Sequence, residues 1–171
     1  MVAVGTTIAD RPPRGSAGWY AYCFFNQVAG GITCYSDSGS TMSDPNAYSG
    51  FGSGKNNPAW VTWNEIGPTP EGDYWIGPPR NGPLGKPMFD LTPVNDPFMH
   101  IPGQPWRDLM RIHSENGAHP GMSSKGCIVT SKEFRVWLAQ EGGGVATVYN
   151  PNHNLTPLDK YLNNPLSAPL P

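Results

Sequence analysis

Glycine and proline punctuate this chain so densely that long regular elements have little room. Its 171 residues include 21 glycines and 20 prolines. Proline fixes φ and removes a backbone donor, and glycine loses the most freedom on ordering, so both interrupt helices and central strands. A helical bundle is therefore a poor fit, and short strands joined by turns are expected instead. The length suits one domain with a sizeable core. Aromatic residues make up 11% of the chain, enough to pack that core, so global disorder is not expected. The formal net charge of −2 leaves no electrostatic footprint for nucleic acid. No apolar run approaches bilayer length, so no membrane insertion is expected.

Residues 1–18 carry Arg11-Pro12-Pro13-Arg14-Gly15-Ser16 without periodicity and read as a flexible arm. Residues 1–10 have no basic start and no long apolar core, so they do not read as a secretory signal. Trp19–Phe25 and Gly31–Tyr35 read as strands about a loop at 26–30. Symmetric pairing sets Cys23 opposite Cys34. That pair is either two small buried residues or a cross-strand disulfide formed in an oxidising compartment. Three cysteines allow at most one disulfide, which leaves Cys127 as the free thiol. The polar, glycine-rich stretch Ser36–Asn57 reads as a solvated loop, and its glycine–lysine order does not match a Walker motif.

Trp60–Trp63 reads as a short strand, and Pro70-Glu71-Gly72-Asp73 as a turn before a strand at Tyr74–Ile76. Gly77–Pro87, with four prolines, reads as a loop, and Met88–Leu91 and Phe98–Ile101 as short strands. A helix follows Cys127: Thr130 is expected as its N-cap with Glu133 completing a capping box, and Phe134, Trp137 and Leu138 as its apolar face. Gly142–Gly144 end it, and Val145–Tyr149 is a last strand. The expected organisation is one domain over 19–149, followed by a proline-rich tail at 150–171.

The chemistry concentrates between Arg111 and Thr130. Leu109, Met110 and Ile112 form an apolar run ending at His113; Ser124-Lys125-Gly126-Cys127 precedes the β-branched pair Ile128 and Val129. A histidine at one strand end and a cysteine at the start of another can meet when the polar loop between them folds back. A neighbouring imidazole can hold a thiol as thiolate or take its proton during attack. Ser114 could orient the ring through its carbonyl or hydroxyl. Gly126 would leave room for a substrate backbone, the N–H of Cys127 and that of Gly126 could stabilise an oxyanion, and Lys125 would favour the thiolate.

The string Ser124-Lys125-Gly126-Cys127-Ile128 after Ile112-His113 resembles the L,D-transpeptidase catalytic domain family. That resemblance implies Cys127 as nucleophile, His113 as base, and Ser124-Lys125-Gly126 as the segment before the nucleophile. Lys125 stands where the family usually has a second histidine, and Val129 where many members have an arginine. These departures resemble a narrower branch, the type VI secretion L,D-transpeptidase effectors, antibacterial toxins acting on peptidoglycan. The same branch resembles this chain at Tyr48-Ser49-Gly50 through Lys55-Asn56-Asn57-Pro58, and at Gly67 through Tyr74. The resemblance covers roughly 20–149. It implies a mainly β fold, an L,D-transpeptidase-like sandwich or barrel with a helix after the nucleophile strand. It also implies L,D-carboxypeptidase action and D-amino acid exchange on tetrapeptide stems, with no cofactor, and Asn56, Asn57 and Tyr74 as substrate contacts. An immunity protein and a type VI delivery component are the partners implied. Synthesis in the cytoplasm without a signal, and action in a target-cell periplasm, follow as expectations.

Other assignments are weaker. His100, His113, His119 and Cys127 match no standard zinc spacing. His119 reads as an exposed loop residue. Period-2 geometry sends Asp108 to the face opposite His113. Glu115 reads as a solvated loop charge. A non-catalytic wall-binding module and a housekeeping transpeptidase are the alternative functions.

Overall fold

The computed structural model describes residues 21–94, 107 and 109–152. The expectations for the arm at 1–18, the strand at Phe98–Ile101, His100, Asp108 and nearly all of the tail lie outside the described residues. Ten strands run through them: β1 (Ala21–Asn26), β2 (Ile32–Ser36), β3 (Thr41–Asp44), β4 (Tyr48–Ser49), β5 (Gly72–Ile76), β6 (Arg80–Gly82), β7 (Gly85–Pro93), β8 (Arg111–Ser114), β9 (Ile128–Thr130) and β10 (Gly144–Tyr149). One α-helix, α1 (Lys132–Gln140), follows β9. The strands form a curled sheet in the order β3-β2-β1-β10-β5-β7-β8-β9-β4, with β6 paired to β7. The mainly β expectation, with a helix after the nucleophile strand, is met.

Side chains alternate across a strand, so every second residue can face one core. Ala21, Cys23 and Phe25 of β1 do so, as do Ile32 and Cys34 of β2, Tyr74 and Ile76 of β5, and Phe89 and Leu91 of β7. Helix α1 closes this core with Phe134 and Leu138, both fully buried. Burying each such side chain is worth roughly 1.5–3 kcal/mol. Cys23 and Cys34 pair across β1 and β2 and are joined by a disulfide, with Cα atoms 4.0 Å apart. The close approach of directly opposed residues makes this cross-link geometrically available.

Four sequence expectations are corrected. Ser36–Asn57 is not simply a solvated loop: it contributes β3 and β4, and Tyr48, Ser49 and Gly50 are buried. Trp60–Trp63 is not a strand. Pro58–Trp60 forms a 3₁₀ turn, with Pro58 at its start and the Asn57 side chain accepting from the Ala59 N–H at 3.1 Å. Gly77–Pro87 contains a hairpin, because Pro83 and Leu84 form a two-residue turn between paired Gly82 and Gly85, where no ladder donor is needed. Ser131, not Thr130, caps α1: it accepts from the Phe134 N–H at 3.2 Å, while Thr130 ends β9 opposite Ser114. The β-branched Thr130 suits the strand, which moves the cap one residue on.

Candidate active site

β8 and β9 run parallel, with Ile112 beside Ile128 and His113 beside Val129. Buried Ile112 and Ile128 anchor both strands in the core, so Cys127, just before β9, lies beside the start of β8, and His113 is two residues further along that strand. His113 and Cys127 therefore line the same cavity, of about 810 Å³. The structure brings together the two residues to which the sequence assigns the chemistry.

His113 is only 2% exposed, and its Nδ1 lies 2.8 Å from the Ser114 carbonyl oxygen. A carbonyl only accepts, so Nδ1 carries the proton and Nε2 keeps its lone pair. The carbonyl of Ser114 orients the ring; its hydroxyl instead donates to the Leu84 carbonyl at 2.8 Å. Burial lowers the His113 pKa, against the Ser114 hydrogen bond, and nearby Arg135 and Arg111 lower it further. Burial raises the Cys127 pKa, while the backbone N–H of Arg111 and the charges of Arg111 and Arg107 act against it. Both shifts act toward the neutral forms, of the thiol and of the imidazole.

The turn that carries Cys127 is held by residues far away in the chain. Ser124 is fully buried; its Oγ accepts from the N–H groups of Gly50 and Gly126 at 2.9 and 3.1 Å and donates to the Cys127 carbonyl at 2.6 Å. The Gly126 carbonyl accepts from Ser49 Oγ at 2.9 Å and from Thr69 Oγ1. Ser49 in turn accepts from the Thr69 N–H at 2.8 Å through Oγ, and its own N–H donates to Asn56 Oδ1 at 2.9 Å. The three stretches on which the family resemblance rests thus converge on one peptide, that between Gly126 and Cys127.

Gly126 has φ of 123°, which favours glycine, and a Cβ there would collide with the Arg107 guanidinium and Met110. The space beside Gly126 is thus filled by protein, not left for a substrate backbone. Its N–H is engaged by Ser124, so it is not a free oxyanion donor. Lys125 does not sit against the thiol: its Nζ pairs with Glu65 at 3.1 Å, both side chains well exposed at the cavity rim. The cations that act on the thiol are Arg111 and Arg107 instead.

Asn56 uses its side chain on Ser49, and Asn57 caps the 3₁₀ turn and donates to the Ser53 carbonyl at 3.1 Å. Tyr74 is buried, its hydroxyl donating to the Pro70 carbonyl at 2.6 Å. The structure places all three in the framework, outside the cavity lining. His119 is exposed. Among the described residues no three His, Cys, Asp or Glu side chains cluster around a metal-sized position.

Glu115 is not a solvated loop charge. It accepts from the Tyr48 hydroxyl at 2.9 Å, the Gly121 N–H at 2.8 Å, the Asn116 N–H at 3.1 Å and Ser123 Oγ. Desolvation raises its pKa, but these hydrogen bonds outweigh it and leave the net shift downward. Lys55 Nζ lies over the Tyr48 ring, 4.0 Å from its centroid. Glu115 so gathers the loop between β8 and Cys127 that forms one wall of the cavity. Arg107, Arg111, Ser49 and Thr69 are further site residues that the sequence reading left without a role. The only signal for Ser49 and Thr69 was their place inside the resembling stretches.

A family model described as the Tlde1 domain matches residues 43–143, a span that holds His113, Cys127 and all three stretches. No curated protein matches the chain. Among solved structures it is similar to the helical cell shape determining protein Pgp2 from Campylobacter jejuni, with a TM-score of 0.55 at 18% identity over 77% of this chain and 48% of that one. It is also similar to Bd1075 of Bdellovibrio bacteriovorus, with a TM-score of 0.52 at 13% identity over 79% of this chain and 49% of that one. A likeness to an L,D-transpeptidase from Xylanimonas cellulosilytica has a TM-score of 0.40 at 20% identity, over 81% and 64% of the two chains. The chain spans about half the length of the first two structures, and at these identities the likeness is one of fold. The matched span covers more than half of the chain and contains the three stretches and the parallel β8–β9 pair: the chain belongs to the Tlde1-domain family, the type VI secretion L,D-transpeptidase effectors that its sequence resembles.

Proposed function

We propose that the protein is a cysteine acyl-transferase acting on peptidoglycan tetrapeptide stems. The observation that carries this reading is the shared cavity of His113 and Cys127, with Nδ1 of the histidine fixed on a carbonyl and Nε2 left to accept a proton. Cys127 Sγ attacks the carbonyl carbon of the amide after the L-centre of the diaminopimelate residue, and His113 Nε2 takes the thiol proton. The Cys127 N–H supports the oxyanion. Collapse of the tetrahedral intermediate breaks the C–N bond, His113 returns the proton to the leaving D-alanine amine, and a thioester remains on Cys127. Water then releases a tripeptide stem, which is L,D-carboxypeptidase action. A free D-amino acid instead restores a tetrapeptide, which is exchange.

The cellular role that fits is an antibacterial effector delivered by a type VI machine into a target periplasm, with an immunity protein in the producing cell. Incubating the purified chain with disaccharide-tetrapeptides and separating the products by mass tests the chemistry. Conversion to tripeptides supports the assignment; unchanged stems, with Cys127 intact and the fold verified, would contradict it.

A further inference from the structure

Arg107 is the largest fully buried side chain among the described residues, at 1% exposure. Its Nη1 donates to the carbonyls of Val61 and Pro68 at 2.6 and 2.7 Å, and its Nη2 to that of Gly67 at 2.9 Å; Nε has no partner. Three carbonyls satisfy donors without neutralising a charge. Among the described residues no carboxylate pairs with it. A buried cation without a counter-ion is strongly disfavoured, and a guanidinium does not escape by losing its proton. The position of this charge is specific: Nη2 fills the place a Gly126 side chain would take, directly behind the turn that delivers Cys127.

We infer that Arg107 is a positioning residue whose fixed guanidinium supplies the countercharge for the Cys127 sulfur as it ionises. The inference rests on Cys127 being the nucleophile of the reaction proposed above. When the S–H bond breaks and the proton passes to His113 Nε2, the electron pair stays on sulfur and then moves to the substrate oxygen. Arg107 faces that charge from the protein side and needs no rearrangement to do so. The other charged groups that face Cys127 are Arg111 of β8 and Asp90 of β7, with His113, Glu65, Glu115 and Lys125 around the cavity. Arg111 and Arg80 already share Asp90, at 3.0 and 2.7 Å. Burial lowers the Arg107 pKa, and Tyr74 and Cys127 are the groups that act in the opposite direction.

The test reads the thiol directly and needs no peptidoglycan. The rate of Cys127 alkylation by iodoacetamide is followed against pH in the full chain, in Arg107→Met and in Arg107→Lys, with thermal melts to verify folding. Arg107→Met should raise the alkylation midpoint by about one unit or more, the size expected for loss of a near opposite charge. Arg107→Lys, which keeps charge without the three-carbonyl fork, should recover much of that shift. An unmoved midpoint in folded Arg107→Met, or equal shifts in both variants, would overturn the inference. Should Arg107→Met fail to fold, the ¹⁵Nε resonance of Arg107 in the unaltered sequence decides. It should move with the alkylation midpoint and stay flat in Cys127→Ser; a resonance indifferent to thiol ionisation would overturn the inference. A chain that alkylates as expected yet leaves tetrapeptide stems intact would sink the peptidoglycan assignment and leave the Arg107 inference standing.

Discussion

In the proposed reaction His113 and Cys127 depend on atoms of residues outside the pair. The Ser114 carbonyl sets which nitrogen of His113 is free, and Ser124 Oγ fixes the Cys127 peptide from both sides. Cys127→Ala should abolish D-alanine release while leaving the melting curve near that of the unaltered chain, and Cys127→Ser should be nearly as inactive because a hydroxyl ionises far less readily. His113→Ala should lower kcat/KM by about 10²–10⁴-fold, and the double variant should lose little more, since the two residues act as one unit. The acid limb of the kcat/KM profile should lie below roughly 6.5, the ordinary histidine value, because burial depresses the His113 pKa. Stability follows the same shifts with opposite signs for the two groups. The depressed His113 binds fewer protons folded than unfolded, so its contribution is present above roughly pH 6.5 and is lost as pH falls through the folded pKa. The raised Cys127 contributes below its unfolded value of about 8.5 and loses that contribution as pH climbs through the folded pKa. Melting temperatures of Cys127→Ala should therefore fall less steeply on the alkaline side than those of the unaltered chain; an identical alkaline slope would contradict a raised thiol.

At the scale of elements, two devices hold the sheet in shape at its opposite ends. The Cys23–Cys34 bond ties β1 to β2, closing a short loop with a sequence separation of 11. Replacing both cysteines by alanine should lower stability by about 2–3 kcal/mol in urea unfolding, while kcat stays near its original value because β8 and β9 lie across the sheet. At the other end, the hydroxyls of Ser49 and Thr69 meet the Gly126 carbonyl. Thr69→Val should cost about 0.5–1.5 kcal/mol, the net worth of a hydrogen bond, because Ser49 Oγ still donates to the Gly126 carbonyl, and should lower turnover by loosening the turn that carries Cys127. These elements were unequally legible in the sequence. The β1–β2 hairpin followed from aromatic strand residues about a short loop, a local signal. The β6–β7 hairpin did not, because four prolines suggested a loop and only the pairing of Gly82 with Gly85 shows that Pro83 falls in the turn. The roles of Ser49 and Glu115 were invisible for a different reason: Ser49 meets Gly126 and Glu115 meets Tyr48, partners far away along the chain. Residue type and string were enough to single out His113 and Cys127 as candidates, whereas Arg107 carried no sequence signal, since what marks it is burial with no carboxylate partner among the described residues.

For the whole molecule, a single curled sheet with one helix on its core places Cys127 at β9, next to one end of the strand order, and the disulfide-linked β1–β2 pair toward the other. An enzyme of this kind matters only where its substrate is. Expression in the cytoplasm should leave bacterial growth unaffected, and the same chain sent to the periplasm by an added signal peptide should be toxic, with Cys127→Ala harmless in both; equal toxicity in the two compartments would contradict a peptidoglycan target. The most direct measurement is intact-protein mass spectrometry of the chain quenched in acid during turnover of tetrapeptide stems. The expected result is a transient adduct on Cys127 with the mass of the stem less D-alanine, absent from Cys127→Ala and lost as the stems are consumed. Release of D-alanine without any adduct, continuing at an unchanged rate in Cys127→Ala, would contradict a thioester mechanism at this cysteine.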